Sequence, residues 1–394
     1  MRTCRGGRSS AAAVALLTAT ACAITPGPAA APLRTPGPAV SPAPVPNVLA
    51  EAARDLKDLL AAEGPIACSG KDGLWQAVAY DESFRTRGPS FSTAPLARHL
   101  AGIAAKAGGE EANVRSLCGE NGDPGMSPVS PDGRRLAVEI EPRSGSDHHV
   151  GWLDVVTGTF TDITEMSAKK GYANKTYSDE APGFAPDGSF WFERALEYYS
   201  ADENGRLTPR RSSDVCGGGS DEDQVYRIVK NVAVPCPAAV HPSGRFVVKT
   251  GMFGLTFAPL AVEDAYYTRA SVRGRACSAV AWVNATELLC KGNDNSFYTA
   301  RVNPAAVQDD PEYVHDITLN PKAEIAPATE NTITAVALTR DRRTLIIAAE
   351  DAGTAKIYRA SLVSPSDPVE VGPVPPEVRE NFTLLGNFPV TSDG

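Results

Sequence analysis

Between residues 47 and 64 apolar side chains return at helical spacing. Leu49, Ala52, Ala53, Leu56, Leu59 and Leu60 fall on one face, with Glu51, Arg54, Asp55, Lys57 and Asp58 on the other. Asn47 is placed to cap the start and Gly64-Pro65 to stop the run, so a helix is predicted over residues 48–64. A second helix is predicted over 94–107, with Thr93 as cap, Pro95 in the first turn, and Leu96, Leu100, Ile103 and Ala104 sharing a side. Elsewhere from residue 66 onward the pattern is one of short apolar runs bounded by turn residues, which is the spacing of strands.

These runs repeat. Ser130-Pro131-Asp132-Gly133 leads into Leu136-Ala137-Val138, Ala185-Pro186-Asp187-Gly188 into Phe190-Trp191-Phe192, and His241-Pro242-Ser243-Gly244 into Phe246-Val247-Val248. The turn is specified chemically: Pro fixes φ, Asp bonds its own backbone, and Gly permits positive φ. Weaker copies stand at Val283 to Leu289 and Thr339 to Ile347, with an early one at Gly70 to Val78. Taken at positions 72, 132, 187, 243, 285 and 341, the steps are 60, 55, 56, 42 and 56 residues. A second hairpin follows most copies, with polar turns at Thr157-Gly158, Asn204-Gly205, Asn303-Pro304 and Ser364-Pro365. Two hairpins per unit make one four-stranded blade. A lone blade cannot cover both of its faces, so the blades close into a ring. The expected fold is therefore all-β: a β-propeller over residues 66–390 with six four-stranded blades, seven being the alternative, and a short N-terminal amphipathic helix. An open ring leaves two unpaired sheet edges, so Phe382 to Phe388 is expected to return to the first blade as a closing strand.

Ser130 to Val138, together with Val150 to Ile163, resembles the TolB-type, WD-like propeller repeat, and the resemblance extends over roughly residues 66–372. It implies the fold and not the activity. The separate α/β domain that precedes the TolB propeller has no counterpart, since about 18 residues of helix stand in its place. The family's partnership with a peptidoglycan-associated lipoprotein is therefore not transferred. No Gly-x-Ser-x-Gly elbow or following hydrolase segment supports the related prolyl-oligopeptidase type.

The start of the chain reads as an address. Arg2, Arg5 and Arg8 precede the apolar run Ala11 to Leu17, and Ala19-Thr20-Ala21 stands directly before Cys22, so residues 1–21 are expected to be an export signal. Leu16 to Cys22 resembles a bacterial lipobox, which makes Cys22 the expected lipidation site. Ala19-x-Ala21 equally suits ordinary signal peptidase and free secretion. Residues 22–47 are rich in Pro and Ala, an extended tether of ~3.1 Å per residue and so up to ~75 Å of reach. No second apolar stretch is long enough to span a bilayer, so membrane attachment is expected through the lipid alone.

Setting aside Cys4 and Cys22, six of the eight cysteines remain: Cys68, Cys118, Cys216, Cys236, Cys277 and Cys290. An even number in an exported chain reads as disulfides, and the local pairing (68 with 118, 216 with 236, 277 with 290) closes the shortest loops among the possible connectivities. For the last pair, a hairpin turn at Trp282 to Glu287 would set the two cysteines opposite each other. With neither Cys-x-x-Cys nor a nearby His pair, zinc is not expected. The formal charge of −9 becomes −12 once the three signal arginines leave, and no Lys/Arg cluster remains, which excludes nucleic acid as the expected partner.

Candidate chemistry is sparse. Asp147-His148-His149 is the one His pair, but neighbours on a strand point to opposite faces and cannot share an ion without an irregular turn. Asn293-Asp294-Asn295 lacks the further acidic positions of a calcium loop and fits a turn better. Ser220-Asp221-Glu222-Asp223 reads as a solvated acidic loop, His99 as a packing residue, His241 as part of a repeat turn, and His315 as part of a polar connection with Asp316. No catalytic, cofactor or metal residue is assigned. The expected function is a non-catalytic cell-envelope lipoprotein that binds a protein, peptide or glycan at the propeller rim or channel. The alternative is a propeller hydrolase or lyase of sugars or lactones, for which charged groups of different blades would have to converge at the axis.

Overall fold

The computed structural model describes residues 47–71, 74–118, 126–142, 148–172, 178–195, 197–212, 227–229, 232–234, 239–251, 254–260, 268–307, 315–339, 341–351, 353–364, 367–379 and 382–385. Cys22, Cys216, Cys236, Asp147 and the acidic run at 220–223 lie outside them, as do the export signal and the tether.

Helix α1 spans Val48–Ala61, with the Asn47 side chain accepting from the Ala50 amide and Ala52, Leu56 and Leu59 buried. After it the chain is strands, β1 Ile66–Lys71, β2 Leu74–Tyr80 and β3 Arg87–Ser92, then helix α2 at Ala97–Ala107. The expected cap of the second helix is corrected. A 3-10 turn at Ala94–Leu96 precedes α2, and the Thr93 hydroxyl is taken by the backbone of Trp75, accepting from its N–H at 2.9 Å and donating to its carbonyl at 3.2 Å.

Among the described residues five further antiparallel meanders follow. The second is β4 Gly109–Asn113, β5 Arg135–Pro142, β6 His149–Asp154 and β7 Thr159–Asp162; the third, after helix α3 at Ile163–Ser167, is β8 Asp179–Phe184, β9 Phe190–Arg194, β10 Glu197–Ala201 and β11 Leu207–Ser212. A hairpin of β12 Arg227–Val229 and β13 Val232–Val234 lays β13 parallel along β11. The fourth is β14 Ala239–Val240, β15 Phe246–Gly251, β16 Gly254–Pro259 and β17 Thr268–Val272; the fifth is β18 Ser278–Asn284, β19 Glu287–Lys291, β20 Phe297–Arg301 and β21 His315–Ala326. The sixth is β22 Thr332–Leu338, β23 Thr344–Asp351, β24 Thr354–Ser361 and β25 Val369–Pro373. The last strand, β26 Thr383–Leu384, pairs with β1 through Leu384 on Ala67 and Thr383 on Cys68, so the C-terminal end supplies the missing fourth strand of the first meander.

This arrangement is an all-β propeller. Successive residues of a strand face opposite sides of its sheet, and cores shared by adjoining meanders cover those sides between first and second, second and third, fourth and fifth, fifth and sixth, and sixth and first. In β5, Leu136, Val138 and Ile140 join the core shared with the first meander, while Ala137 joins Phe184, Phe190 and Phe192 in the core shared with the third. In β19, Leu288 and Cys290 face the fourth meander and Leu289 the sixth. A further core of Ala67, Val78, Ile346, Ile357 and Leu384 joins the sixth meander to the first.

The repeat turn joins the first two strands of its meander. Gly133 N donates to Ser130 O at 2.8 Å, Gly188 N to Ala185 O at 2.8 Å and Gly244 N to His241 O at 2.7 Å, with φ of 70°, 85° and 64° at the glycines. The early copy is corrected. Gly70 to Val78 straddles the β1–β2 hairpin, the second hairpin position of a meander, because the first meander takes its leading strand from β26. The register of the fifth meander is corrected as well. Trp282 is inside β18, the turn lies between Asn284 and Glu287, and bulges beside Ala279 and Trp282 shift the ladder. Cys290 therefore stands opposite Ala279 and bonds Cys277 diagonally, with the Cα atoms 5.0 Å apart. Also among the described residues, a disulfide joins Cys68 to Cys118, Cα atoms 5.8 Å apart.

Candidate functional site

Among the described residues, titratable groups gather where the second and third meanders adjoin. β8 and β9 pair so that Asp179 stands across from Arg194 and Glu180 across from Glu193. The first pair is buried and complementary. Arg194 Nε and Nη2 reach both oxygens of Asp179, Nη2 also donates to Ser167 Oγ at 3.1 Å, and Nη1 donates to the Tyr172 carbonyl at 2.6 Å. The remaining capacity of Asp179 is met by Thr164, whose hydroxyl donates to Oδ2 at 2.7 Å.

The second pair is of like charge, an arrangement that destabilises a ladder when nothing offsets it. Glu139 of β5 adds a third carboxylate from the neighbouring meander. Desolvation, and then repulsion from Glu139, holds the Glu180 carboxyl above the ordinary glutamate range, with His148, Glu193 and Arg115 as further influences. His148 Nδ1 lies 3.3 Å from Glu139 Oε1, and that contact raises the imidazole above its ordinary value. Tyr198 donates its hydroxyl to Glu193 Oε2 at 2.8 Å.

The two adjacent histidines diverge as strand geometry requires. His148 meets Glu139, whereas His149 Nδ1 is 2.7 Å from Asp162 Oδ2 and is likewise raised by that carboxylate. Among the described residues no group of three or more His, Cys, Asp or Glu is placed to hold a metal ion.

The other candidate positions carry structural work. Asp294 accepts from the Ser296 amide at 3.1 Å and hydroxyl at 2.6 Å, and Asn295, at φ 58°, reaches the carbonyls of Thr329 and Asn331. His241 bonds Ser243 Oγ at 2.7 Å and the Ala285 carbonyl at 2.9 Å while stacked on Phe246 and edge-on to Trp282. His99 Nε2 bonds the Gly158 carbonyl at 2.9 Å. The connection expected around His315 is corrected: His315 and Asp316 begin β21, which runs parallel to β17, and Asp316 pairs with Arg269 at 2.9 and 3.0 Å. A cleft of about 220 Å³ beside the β1–β2 hairpin is lined by Ser69, Lys71, Trp75, Gln76 and Ser92.

Sequence reasoning did not single out Glu139, Asp179, Glu180, Glu193 or Arg194. A signal was present: Glu139 and Glu193 occupy corresponding places in the second strand of consecutive repeats, where Thr250 and Ala348 stand in the fourth and sixth.

No family model and no curated protein sequence matches this chain. Solved structures similar to it include TolB from Acinetobacter baumannii, at 13% identity and TM-score 0.34, over 82% of this chain and 66% of that one. A puromycin-hydrolysing peptidase of Mycobacterium tuberculosis matches at 14% identity and TM-score 0.34, over 68% and 42% of the two chains. A post-proline cleaving enzyme from Rickettsia typhi matches at 8% identity and TM-score 0.34, over 82% and 48%. The chain thus spans less than two thirds of each of these proteins, and its assignment as a propeller rests on its own strand pairing.

Proposed function

We propose that this chain is a non-catalytic β-propeller of the cell envelope, with six blades, whose acidic patch at Glu139, Glu180 and Glu193 binds a cationic segment of a protein or peptide partner. The observation that carries this reading is the like-charged pair Glu180 and Glu193, set directly across a ladder and joined by Glu139 of the next meander. Three carboxylates held together raise the energy of the free protein, and a cation placed among them lowers it. The net charge of −9 favours the same class of partner through long-range attraction. A hexalysine peptide is expected to bind the full chain, and Glu180→Gln with Glu193→Gln to weaken it about tenfold, a loss of ~1.4 kcal/mol. Fluorescence anisotropy at two salt concentrations reads this. Equal affinity of the double variant would place the binding surface elsewhere.

The enzymatic alternative draws on one of the same facts. A carboxyl held above its ordinary range beside other carboxylates suits a general acid, and turnover of a sugar or lactone abolished by Glu180→Gln would favour a hydrolase or lyase over a binding module.

The proposed address is extracytoplasmic, with lipid at Cys22 as the anchor. The Cys68–Cys118 and Cys277–Cys290 disulfides are compatible with an oxidising compartment. Among the described residues no helix is long and apolar enough to cross a membrane. Cys22→Ser is expected to move the protein from the membrane fraction to the medium, and retention at the membrane would refute the anchor.

A further inference from the structure

Among the described residues, the connection between the second and third meanders is fastened at three points. Asp162 caps α3, its Oδ1 accepting from the Glu165 amide at 2.8 Å, while its Oδ2 faces His149 Nδ1 at 2.7 Å. Thr164 accepts from the Val150 amide at 2.9 Å and donates to Asp179. Arg194 holds the far end through Ser167 Oγ and the Tyr172 carbonyl. Of these side chains only the imidazole changes its charge near neutral pH.

We propose that His149 and Asp162 form a pH-responsive clasp that fastens residues 163–172 to the second meander under mildly acidic conditions and slackens them under alkaline ones. The geometry is built for it: Asp162 spends one oxygen on the helix cap and the other on the imidazole, so one side chain couples the charge of β6 to the start of α3. Among the described residues the charged groups acting on His149 are Asp162 of β7, Asp179 of β8 and Glu165 of α3, with Arg194 of β9 engaged by Asp179 and Lys169 by Glu165. On the other face of the strand, His148 meets Glu139 and Glu141 of β5 and Glu180 of β8.

The hydrogen bond to Asp162 raises His149 above the ordinary imidazole value of ~6.5, against an opposing effect of burial. A group raised in the folded state contributes stability that is complete below its unfolded value and fades as pH climbs through the folded one. The clasp is therefore tight at acidic pH and weakens on the alkaline side, where a neutral imidazole donates a weaker hydrogen bond. One consequence rests on the binding reading above: as His148 beside Glu139 loses its proton over the same range the patch gains net negative charge, so a cationic partner is held more tightly where the clasp is slack.

Hydrogen exchange of the full chain without any ligand tests the clasp. Protection factors of the α3 amides, corrected for intrinsic exchange, are expected to fall about fivefold to tenfold between about pH 6 and about pH 8.5. His149→Asn, which keeps a donor at the place of Nδ1 and does not titrate, is expected to remove the drop. Asp162→Asn is expected to do the same while still capping α3, since Asn is an effective cap. His148→Asn is expected to retain the drop. Constant protection in the unaltered protein, or an undiminished drop in His149→Asn, would overturn the clasp. Failure of hexalysine to bind would leave this readout unaffected and would count against the binding reading alone.

Discussion

Arg194→Ala is expected to lower the stability of the folded chain by about 3–5 kcal/mol, the range for removing one partner of a buried ion pair. The side chains of Arg194 and Asp179 are 7% and 2% exposed, so the carboxylate left behind has almost no access to water. Its surviving partner would be the Thr164 hydroxyl. The variant also loses the ties from Arg194 to Ser167 and to the Tyr172 carbonyl, and the guanidinium packed 5.3 Å from the centre of the Phe192 ring. Urea denaturation should show a lower midpoint. The deficit should shrink as pH falls, because protonation removes the uncompensated charge left buried without its guanidinium. Arg194→Met with Asp179→Leu should recover much of the loss, since an apolar pair beside Phe192 avoids the desolvation cost that the ion pair carries. A loss below about 1 kcal/mol in Arg194→Ala would show that water reaches this interface.

The propeller was legible because its punctuation is local. Ser130 to Gly133, Ala185 to Gly188 and His241 to Gly244 each specify a turn within four residues, and the apolar alternation that follows needs no distant partner to be recognised. The sixth copy is faint for a physical reason. Arg342 takes the glycine place at φ 56°, a conformation costly for a side chain, and its guanidinium donates to the Trp282 carbonyl at 2.8 Å on the neighbouring meander. The closing strand followed from the need to cover an edge, whereas the phase of the first copy did not, because the missing strand comes from the opposite end of the chain. The acidic patch was hidden for another reason. Glu180 and Glu193 meet through a ladder with a bulge between Glu180 and Gly183, and Asp179 reads in sequence as a solvent-facing charge until that register brings Arg194 across from it. Cross-strand charge pairing is set by register, and a bulge changes register without a composition signal. The same limit placed Cys290 diagonal to Cys277 rather than opposite it.

Removal of the Cys68–Cys118 disulfide, as Cys68→Ala with Cys118→Ala, is expected to cost about 4 kcal/mol in the chain-entropy account, against about 3 kcal/mol for Cys277→Ala with Cys290→Ala. The difference follows from the separations closed, 50 residues and 13. The larger effect is also the more consequential in position. Cys68 pairs with Thr383 on one side and Ala77 on the other, so the sulfur bridge starts from the strand that receives the closing segment. Its partner belongs to the stretch after β4, where Val114 accepts the Trp75 indole N–H at 2.9 Å and Leu117 lies in the core between the first two meanders. The closing segment itself is short. β26 pairs over two residues, Leu385 N adds a bond to the Ile66 carbonyl at 2.9 Å, and Tyr80 donates to Glu377 at 2.9 Å just ahead of it. A latch this small depends on how firmly its receiving strand is held. Loss of the 68–118 bridge should therefore accelerate hydrogen exchange at Thr383 to Leu385 and expose the C-terminal end to limited proteolysis, while loss of the 277–290 bridge should leave both readouts unchanged. Equal protection of Leu385 in the two variants would show that the latch stands on its strand pairing and apolar packing alone, independent of the bridge behind it.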